Sequence, residues 1–261
     1  MNLIDTHAHL DQLENVDAAL ANAHEAGVEA IVAVSMDVKS CLRNLEIKKK
    51  TQHPKIFLAM GMHPSEANLA EAEKCLDLIK EHRGELVAVG EIGLDFWYKW
   101  VKKDQGKKDE QVLVFRKFVE IAQKFDLPII IHARGAWREC LDIVKEYQVK
   151  KANFHWYSGP IDVLDDILSA GYYVSTSPSV AYSLQSRDAM THAPMDRILI
   201  ETDCPVFYQD RNSSSDMGFS AEPMHVERTL DACARLKNVE KGKAADIFYQ
   251  NTNLSNDLYH Q

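Results

Sequence analysis

Two histidines one residue apart, His7 and His9, stand almost at the start of the chain, in the stretch Ile-Asp-Thr-His-Ala-His-Leu-Asp from Ile4 to Asp11. On an extended strand alternate side chains leave the same face, so Asp5, His7 and His9 are expected to project together. Two imidazoles side by side offer metal-ligand chemistry, although the pair alone reads equally well as a surface pair or as two satisfied core histidines. Further along, His63, Glu91, His132, His155 and Asp203 each sit at the polar end of a short apolar run. A single histidine in that position is more often structural than functional. Several of them converging with Glu and Asp make a metal centre the stronger reading. Mixed imidazole and carboxylate donors accept Zn²⁺, Mn²⁺ or Mg²⁺.

Eight apolar runs must position these residues: NLIDTHAH, EAIVAVSM, KIFLAMGMHP, LVAVGEIGLD, LPIIIHAR, KANFHWYSG, GYYVSTSPS and RILIETDCP. Between them lie segments of helical period, such as residues 109–125, where Val112, Phe115, Phe118, Val119, Ala122 and Phe125 recur behind Asp109 and Glu110. Alternating strand and helix imply parallel strands with right-handed crossovers. Near-continuous apolarity in eight strands points to an α/β fold of the closed (β/α)₈ TIM-barrel type, with an open doubly wound sheet as the alternative. No Gly-x-Gly-x-x-Gly follows the first run, which removes the dinucleotide-binding form of that alternative. Barrel active sites lie at the C-terminal strand ends, where every candidate ligand falls. The second and seventh runs offer only Ser35 and Asp37, and Ser175, Thr176 and Ser177, to which no role is given. His24, His53, His82, His192 and His260 read as solvated surface, and His225 is ambiguous.

The 261 residues, 46% of them hydrophobic and 26% charged, suffice for a large core, and no Pro/Gly/Ser-rich linker divides them. A single domain over residues 1–261 is expected. Within it Arg211–Gly218, RNSSSDMG, reads as a loop. Five scattered cysteines without Cys-x-x-Cys spacing fit buried thiols in a reducing compartment. With no signal-like start and no membrane-length apolar window, the expected location is the cytoplasm. A formal net charge of −9 argues against broad adhesion to duplex DNA, yet bound cations supply local positive charge that the count omits.

In these motifs the chain resembles the TatD-type metal-dependent deoxyribonucleases of the amidohydrolase superfamily, and the resemblance runs through essentially its whole length. IDTHAHLD looks like the family's opening motif, and GMHP (Gly61–Pro64) and VGEIGLD (Val89–Asp95) look like those of the third and fourth strands. LPIIIHAR, HWYSG and LIETDCP follow in the expected order. The resemblance implies two divalent metal ions, one held by His7, His9, Glu91 and Asp203 and the other by Glu91, His132 and His155, with Glu91 as the bridge. It implies DNA as substrate and cleavage from an end. Glu91 stands where many superfamily relatives carry a carbamylated lysine, which favours the TatD-like branch. Two departures are visible: Ser220–Pro223 keeps Glu222 and Pro223 but not the preceding Asn of the family's Asn-Glu-Pro, and HWYSG replaces the common HCFSG.

The chemistry such a site offers is hydrolysis, because paired cations roughly 3.5–4 Å apart activate water and clamp both the attacking and the leaving oxygens of a phosphodiester. With Glu91 bridging, Asp203 is the candidate proton acceptor; its bland role is a plain ligand. Arg134 is expected to face the same mouth and fork onto phosphate, or else to be a surface arginine. His63 either binds phosphate, protonates the leaving alkoxide, or packs beside Pro64. Glu222 either orients a ligand or favours a helix N-terminus. Phe96–Lys108, reading as a long connection with four aromatics and five lysines, either engages single-stranded nucleic acid or forms a lid with solvated lysines. Two other functions stay open: an amidase or ester hydrolase such as an aminoacyl-tRNA deacylase, and a metal-stabilised nucleic-acid-binding protein without turnover.

Overall fold

Strand β1 (Leu3–Ala8) begins a parallel sheet in which every strand pairs with the next in sequence. It continues through β2 (Val28–Val34), β3 (Lys55–Met60), β4 (Leu86–Asp95), β5 (Ile129–Arg134), β6 (Ala152–Phe154), β7 (Tyr173–Thr176) and β8 (Ile198–Ile200). The computed structural model describes residues 2–256. Helices α1 (Val16–Glu25), α2 (Val38–Lys50), α3 (Leu69–His82), α4 (Gln105–Phe125), α5 (Trp137–Glu146), α6 (Ile161–Ser169) and α7 (Leu184–His192) fill the crossovers. α8 (Val226–Lys237) and α9 (Lys241–Asn256) follow the last strand. A short antiparallel ribbon, β9 (Phe207–Tyr208) and β10 (Phe219–Ser220), stands between β8 and α8. Among the described residues no helix is long and apolar enough to cross a membrane.

The strands read as unbroken apolar runs because both their faces are covered. Ala30, Val32 and Val34 belong to an inner cluster with Ile4, Ala59 and Ile130, whereas Ile31 and Ala33, between them in sequence, pack in the larger cluster beneath the helices. Polar side chains start the crossovers. Asn15 accepts the amide of Ala18, Asp37 that of Ser40 in a reciprocal capping box, and Asp104 that of Lys107. The last of these caps shifts an expected boundary. Helix α4 starts at Gln105 rather than near Asp109, so the connection from β4 ends at Asp104, and Lys107 and Lys108 stand in the first helical turn.

The barrel is nearly closed, and its seam lies between β1 and the chain just past β8. Ala8 bridges Cys204, Asp203 donates its amide to the His7 carbonyl at 2.9 Å, and His9 donates to Cys204 at 2.9 Å. Asp5 differs from its expected place beside the histidines. Its Oδ1 accepts the Thr202 amide at 2.9 Å and its Oδ2 accepts the Thr202 hydroxyl. A register shift between Asp5 and Ala8 breaks strict alternation, so His7 reaches the mouth while Asp5 is spent on the seam. Both Asp5 and Thr202 are fully buried, and removing one partner leaves the other unsatisfied. Thr202→Val should therefore lower the unfolding free energy by about 1–2 kcal/mol in chemical denaturation. An unchanged denaturation midpoint would show that this pair does not hold the seam.

Candidate metal centre

His7, on β1, and His9, just past it, direct their Nε2 atoms toward Glu91 of β4 and Asp203 beyond β8. Five separations among His7 Nε2, His9 Nε2, Glu91 Oε2 and Asp203 Oδ1 are 3.3 or 3.4 Å. Nitrogen and oxygen ligands about 2.1 Å from one tetrahedral cation lie about 3.4 Å from each other, which these five separations match. Two imidazole nitrogens facing each other and two carboxylates, all buried, are the donor set of a cation site. The other oxygen of Glu91 faces a second group. Oε1 lies 2.8 Å from both His132 Nδ1 and His155 Nε2, which are 3.4 Å apart. The donors thus form two groups about Glu91, with His7, His9 and Asp203 on one side and His132 and His155 on the other, and their chemistry fits divalent cations.

His63 lies beside the second group, its Nε2 3.2 Å from His132 Nδ1 and 3.7 Å from Glu91 Oε1. Proximity suggests another ligand, but the far side of the ring decides otherwise. The Ser65 amide donates to His63 Nδ1 at 3.0 Å, so the proton of the neutral ring is left on Nε2, which then has no lone pair for a metal. Burial pushes this imidazole down to about 3, which keeps it neutral.

Two carboxylates absent from the sequence-level candidates choose the nitrogen that each of the other rings presents. Asp95 Oδ2 takes His132 Nε2 at 3.0 Å, turning Nδ1 to Glu91, and Glu201 Oε1 lies 3.3 Å from His155 Nδ1, turning Nε2 inward. Such outer partners fix tautomer and orientation in metal sites. Both had a legible signal: Asp95 and Glu91 share a face of β4, and Glu201 stands two residues before Asp203. Ser175, given no role from sequence, hydrogen-bonds Glu201 Oε2 at 2.5 Å and is bonded by Asn153 at 3.1 Å.

Burial opposes ionisation of Glu91, yet His155 and the hydrogen bond with His132 hold its carboxyl well below the usual range. Asp203 is lowered in the same way: burial opposes, and His9 and His7 prevail. Its backbone is left-handed, φ 49°, which in a non-glycine residue stores strain of order 1–3 kcal/mol. The seam amide bond and a hydrogen bond from Val206 to the Asp203 carbonyl hold it there.

Above the donors opens a cavity of about 830 Å³. One wall carries Trp97, Tyr98 and Arg134; the other carries Trp156, Tyr182 and Ser179. Arg134 Nε is bound to Asp95 Oδ2 at 2.8 Å and the guanidinium lies over the Tyr98 ring at 4.9 Å, so its Nη groups remain free of protein hydrogen bonds among the described residues. Trp97 meets Trp137 edge-on and is 55% exposed, and Gly135 underlies it with φ 71°, where any Cβ would collide with the indole. Tyr98 and Trp100 stack at 4.3 Å, with Lys99, Lys102 and Lys103 exposed around them. The opposite indole, Trp156, donates Nε1–H to Ser179 Oγ at 2.8 Å.

Other candidates fall outside this constellation. Glu222 does not line the cavity; its carboxylate accepts from Asn22 of α1 at 3.1 Å and caps the short turn, Pro223–His225, that leads into α8. His225 bonds the Glu222 amide at 2.9 Å. His82 pairs with Glu85, His192 with Asp165, and His24 stacks on His53, while His260 lies outside the described residues. The cysteines are free thiols, all buried.

Comparison with known proteins agrees with this architecture. A family model described as TatD related DNase matches residues 4–255. An uncharacterized metal-dependent hydrolase of Methanocaldococcus jannaschii is 31% identical over 254 residues, covering 95% of this chain and 94% of the relative. Deoxyribonuclease TATDN3 of Homo sapiens is 24% identical, covering 96% and 93%. A crystal structure of a TatD family hydrolase from Entamoeba histolytica superposes with a TM-score of 0.83 at 20% identity, covering 97% of both chains, which is a likeness of fold.

If Glu201 orients His155, Glu201→Gln should weaken cation binding about 10–100-fold in a competition titration with a chromogenic chelator, while Glu222→Gln leaves it unchanged. Equal affinities in both variants would remove Glu201 from the metal centre.

Proposed function

The chain belongs to the TatD related DNase family, and from that premise we propose that it hydrolyses phosphodiester bonds of DNA at a centre of two divalent cations. The observation that carries the reading is Glu91, whose two oxygens face two separate sets of buried donors. The deoxyribonuclease activity in the name of the human relative supports DNA as the substrate class. When bound, paired cations would acidify a water molecule and offset charge on the phosphoryl oxygens.

The remaining work falls to side chains. Asp203 presents one oxygen to His7 and His9, and its other oxygen, without a protein partner among the described residues, accepts the proton of the attacking water. His63, as an Nε2–H donor, hydrogen-bonds a non-bridging phosphoryl oxygen. Arg134 offers its free Nη groups to the same phosphate, and Asp95 holds it in place. Trp97, exposed at the cavity wall, provides a face on which an unpaired base stacks, which favours single-stranded or frayed ends. The net charge of −9 is no obstacle, because Arg134 and two cations concentrate positive charge where the phosphate must sit.

Metal-stripped protein reloaded with Zn²⁺, Mn²⁺ or Mg²⁺ should degrade defined oligonucleotides, and chelation should abolish turnover. Hydrolysis of amides or carboxylic esters with no cleavage of DNA would replace the nuclease reading by the amidase or deacylase one. Asp203→Asn should lower kcat by at least ~10² at equal metal content. A near-normal kcat at full occupancy would reject Asp203 as proton acceptor.

The aromatic loop makes a separate prediction. Trp97→Ala with Trp100→Ala should cost single strands about 1–3 kcal/mol of affinity per unstacked base and duplex much less, read as Kd across a salt series in an Asp203→Asn background. Equal losses for both ligands, with a lowered Tm, would make the loop a packing element of the barrel.

A further inference from the structure

The loop RNSSSDMG and the ribbon that carries it have no part in the chemistry above, yet they border a second cavity of about 510 Å³. Tyr182, Ser183 and Gln185 line both this cavity and the one over the metal donors, so the two form one continuous groove. On its far side stand Leu184, 72% exposed, and Phe207, 58% exposed, with Arg211 beside them. Large apolar side chains left this open need a reason. Here they line a groove that continues from the cavity over the metal donors.

These groups are held in place. Phe207 lies on the β9–β10 ribbon, paired with Ser220, and Gly218, φ 71°, underlies its ring where a Cβ would fall 2.4 Å from the phenyl edge. The loop beyond is tied by one carboxylate. Asp216 accepts the amides of Asp210 at 2.6 Å and Gly218 at 2.8 Å, and Gln209 donates to the Asp216 carbonyl at 2.9 Å. Asp210, the acid that borders the groove, is engaged with the Asn212 amide at 2.9 Å. Among the described residues Arg211 has no such tie, so its charge is left open to the groove.

We infer that this groove is a second nucleotide subsite, in which the strand continuing from the metal centre passes Tyr182 and Gln185, lays a base on Phe207 against Leu184, and sets a phosphate on Arg211. A stacking face and a cation spaced along a groove are the elements of sequence-tolerant binding to single strands. The inference rests on the nuclease reading. It adds where the rest of the substrate lies and predicts that chain length, rather than base identity, governs affinity.

The test compares three substrates in the metal-loaded protein: bis(4-nitrophenyl) phosphate, a single-stranded dinucleotide and a single strand of about eight nucleotides. Phe207→Ala with Arg211→Ala should raise KM for the longer strand about 10-fold or more, as loss of one stacked base and one phosphate contact requires. Turnover of the small diester and the dinucleotide should stay within about twofold, and Phe207→Trp with Arg211 left in place should keep the longer strand's KM near that of the unmodified protein. An unchanged KM for the longer strand, or an equal loss on all three substrates, would overturn the subsite while leaving the nuclease reading intact. Turnover of bis(4-nitrophenyl) phosphate with no cleavage of DNA by the unmodified protein would overturn both.

Discussion

Glu91 buries a carboxylate where the strands of the barrel end, and its charge dictates which groups must stand around it. It is 1% exposed and has histidines around both oxygens, so its charge is compensated only by what those imidazoles can share with it. Placing an ionised carboxylate in a barrel mouth costs several kcal/mol unless it is paired or coordinates a cation. The neighbouring donors therefore have to arrive from several strands at fixed distances, His7 from β1 and His9 from just past it, His132 from β5, His155 from the end of β6 and Asp203 from beyond β8. A closed parallel barrel delivers this arrangement, because every strand ends at the same mouth with its direction set by the sheet.

Around that centre a second layer of acids spends its charge on orientation. Asp95 turns His132 and also holds Arg134, so one carboxylate links a candidate metal-donor ring to the guanidinium at the cavity wall. Glu201 turns His155 and is itself held by Ser175. Asp5 grips Thr202 across the seam, one residue from Asp203. Stability and function are thus coupled at the seam: the hydrogen bonds that close the barrel also fix the backbone of Asp203 in a left-handed conformation that it would not adopt alone.

Much of this was legible in the amino-acid order. Runs such as Ile129–Ile131 are apolar on both faces, as a covered parallel strand requires, and six of the eight runs end in a histidine, glutamate or aspartate that the sequence marks as a candidate site residue. What escaped has physical reasons. Asp5 does not project with His7 because alternation holds only for a regular strand, and the shift between Asp5 and Ala8 arises in the pairing of β1 with β2, which the sequence of β1 alone does not show. The first turn of α4 was hidden by Gly106 and a lysine pair that look like loop, although the Asp104 cap stood in the sequence. Asp95 and Glu201 went unassigned because attention to first contacts with a metal passes over the groups that aim the ligands. The role of Glu222 could not be decided before its partner Asn22, 200 residues away in sequence, was known.

The most direct measurement of the central claim is anomalous diffraction from crystals of the protein grown with Mn²⁺. The account predicts two peaks about 3.5–4 Å apart, one on each oxygen of Glu91, with His7, His9 and Asp203 around the first and His132 and His155 around the second. A single peak, or a second peak with no contact to Glu91, would contradict it.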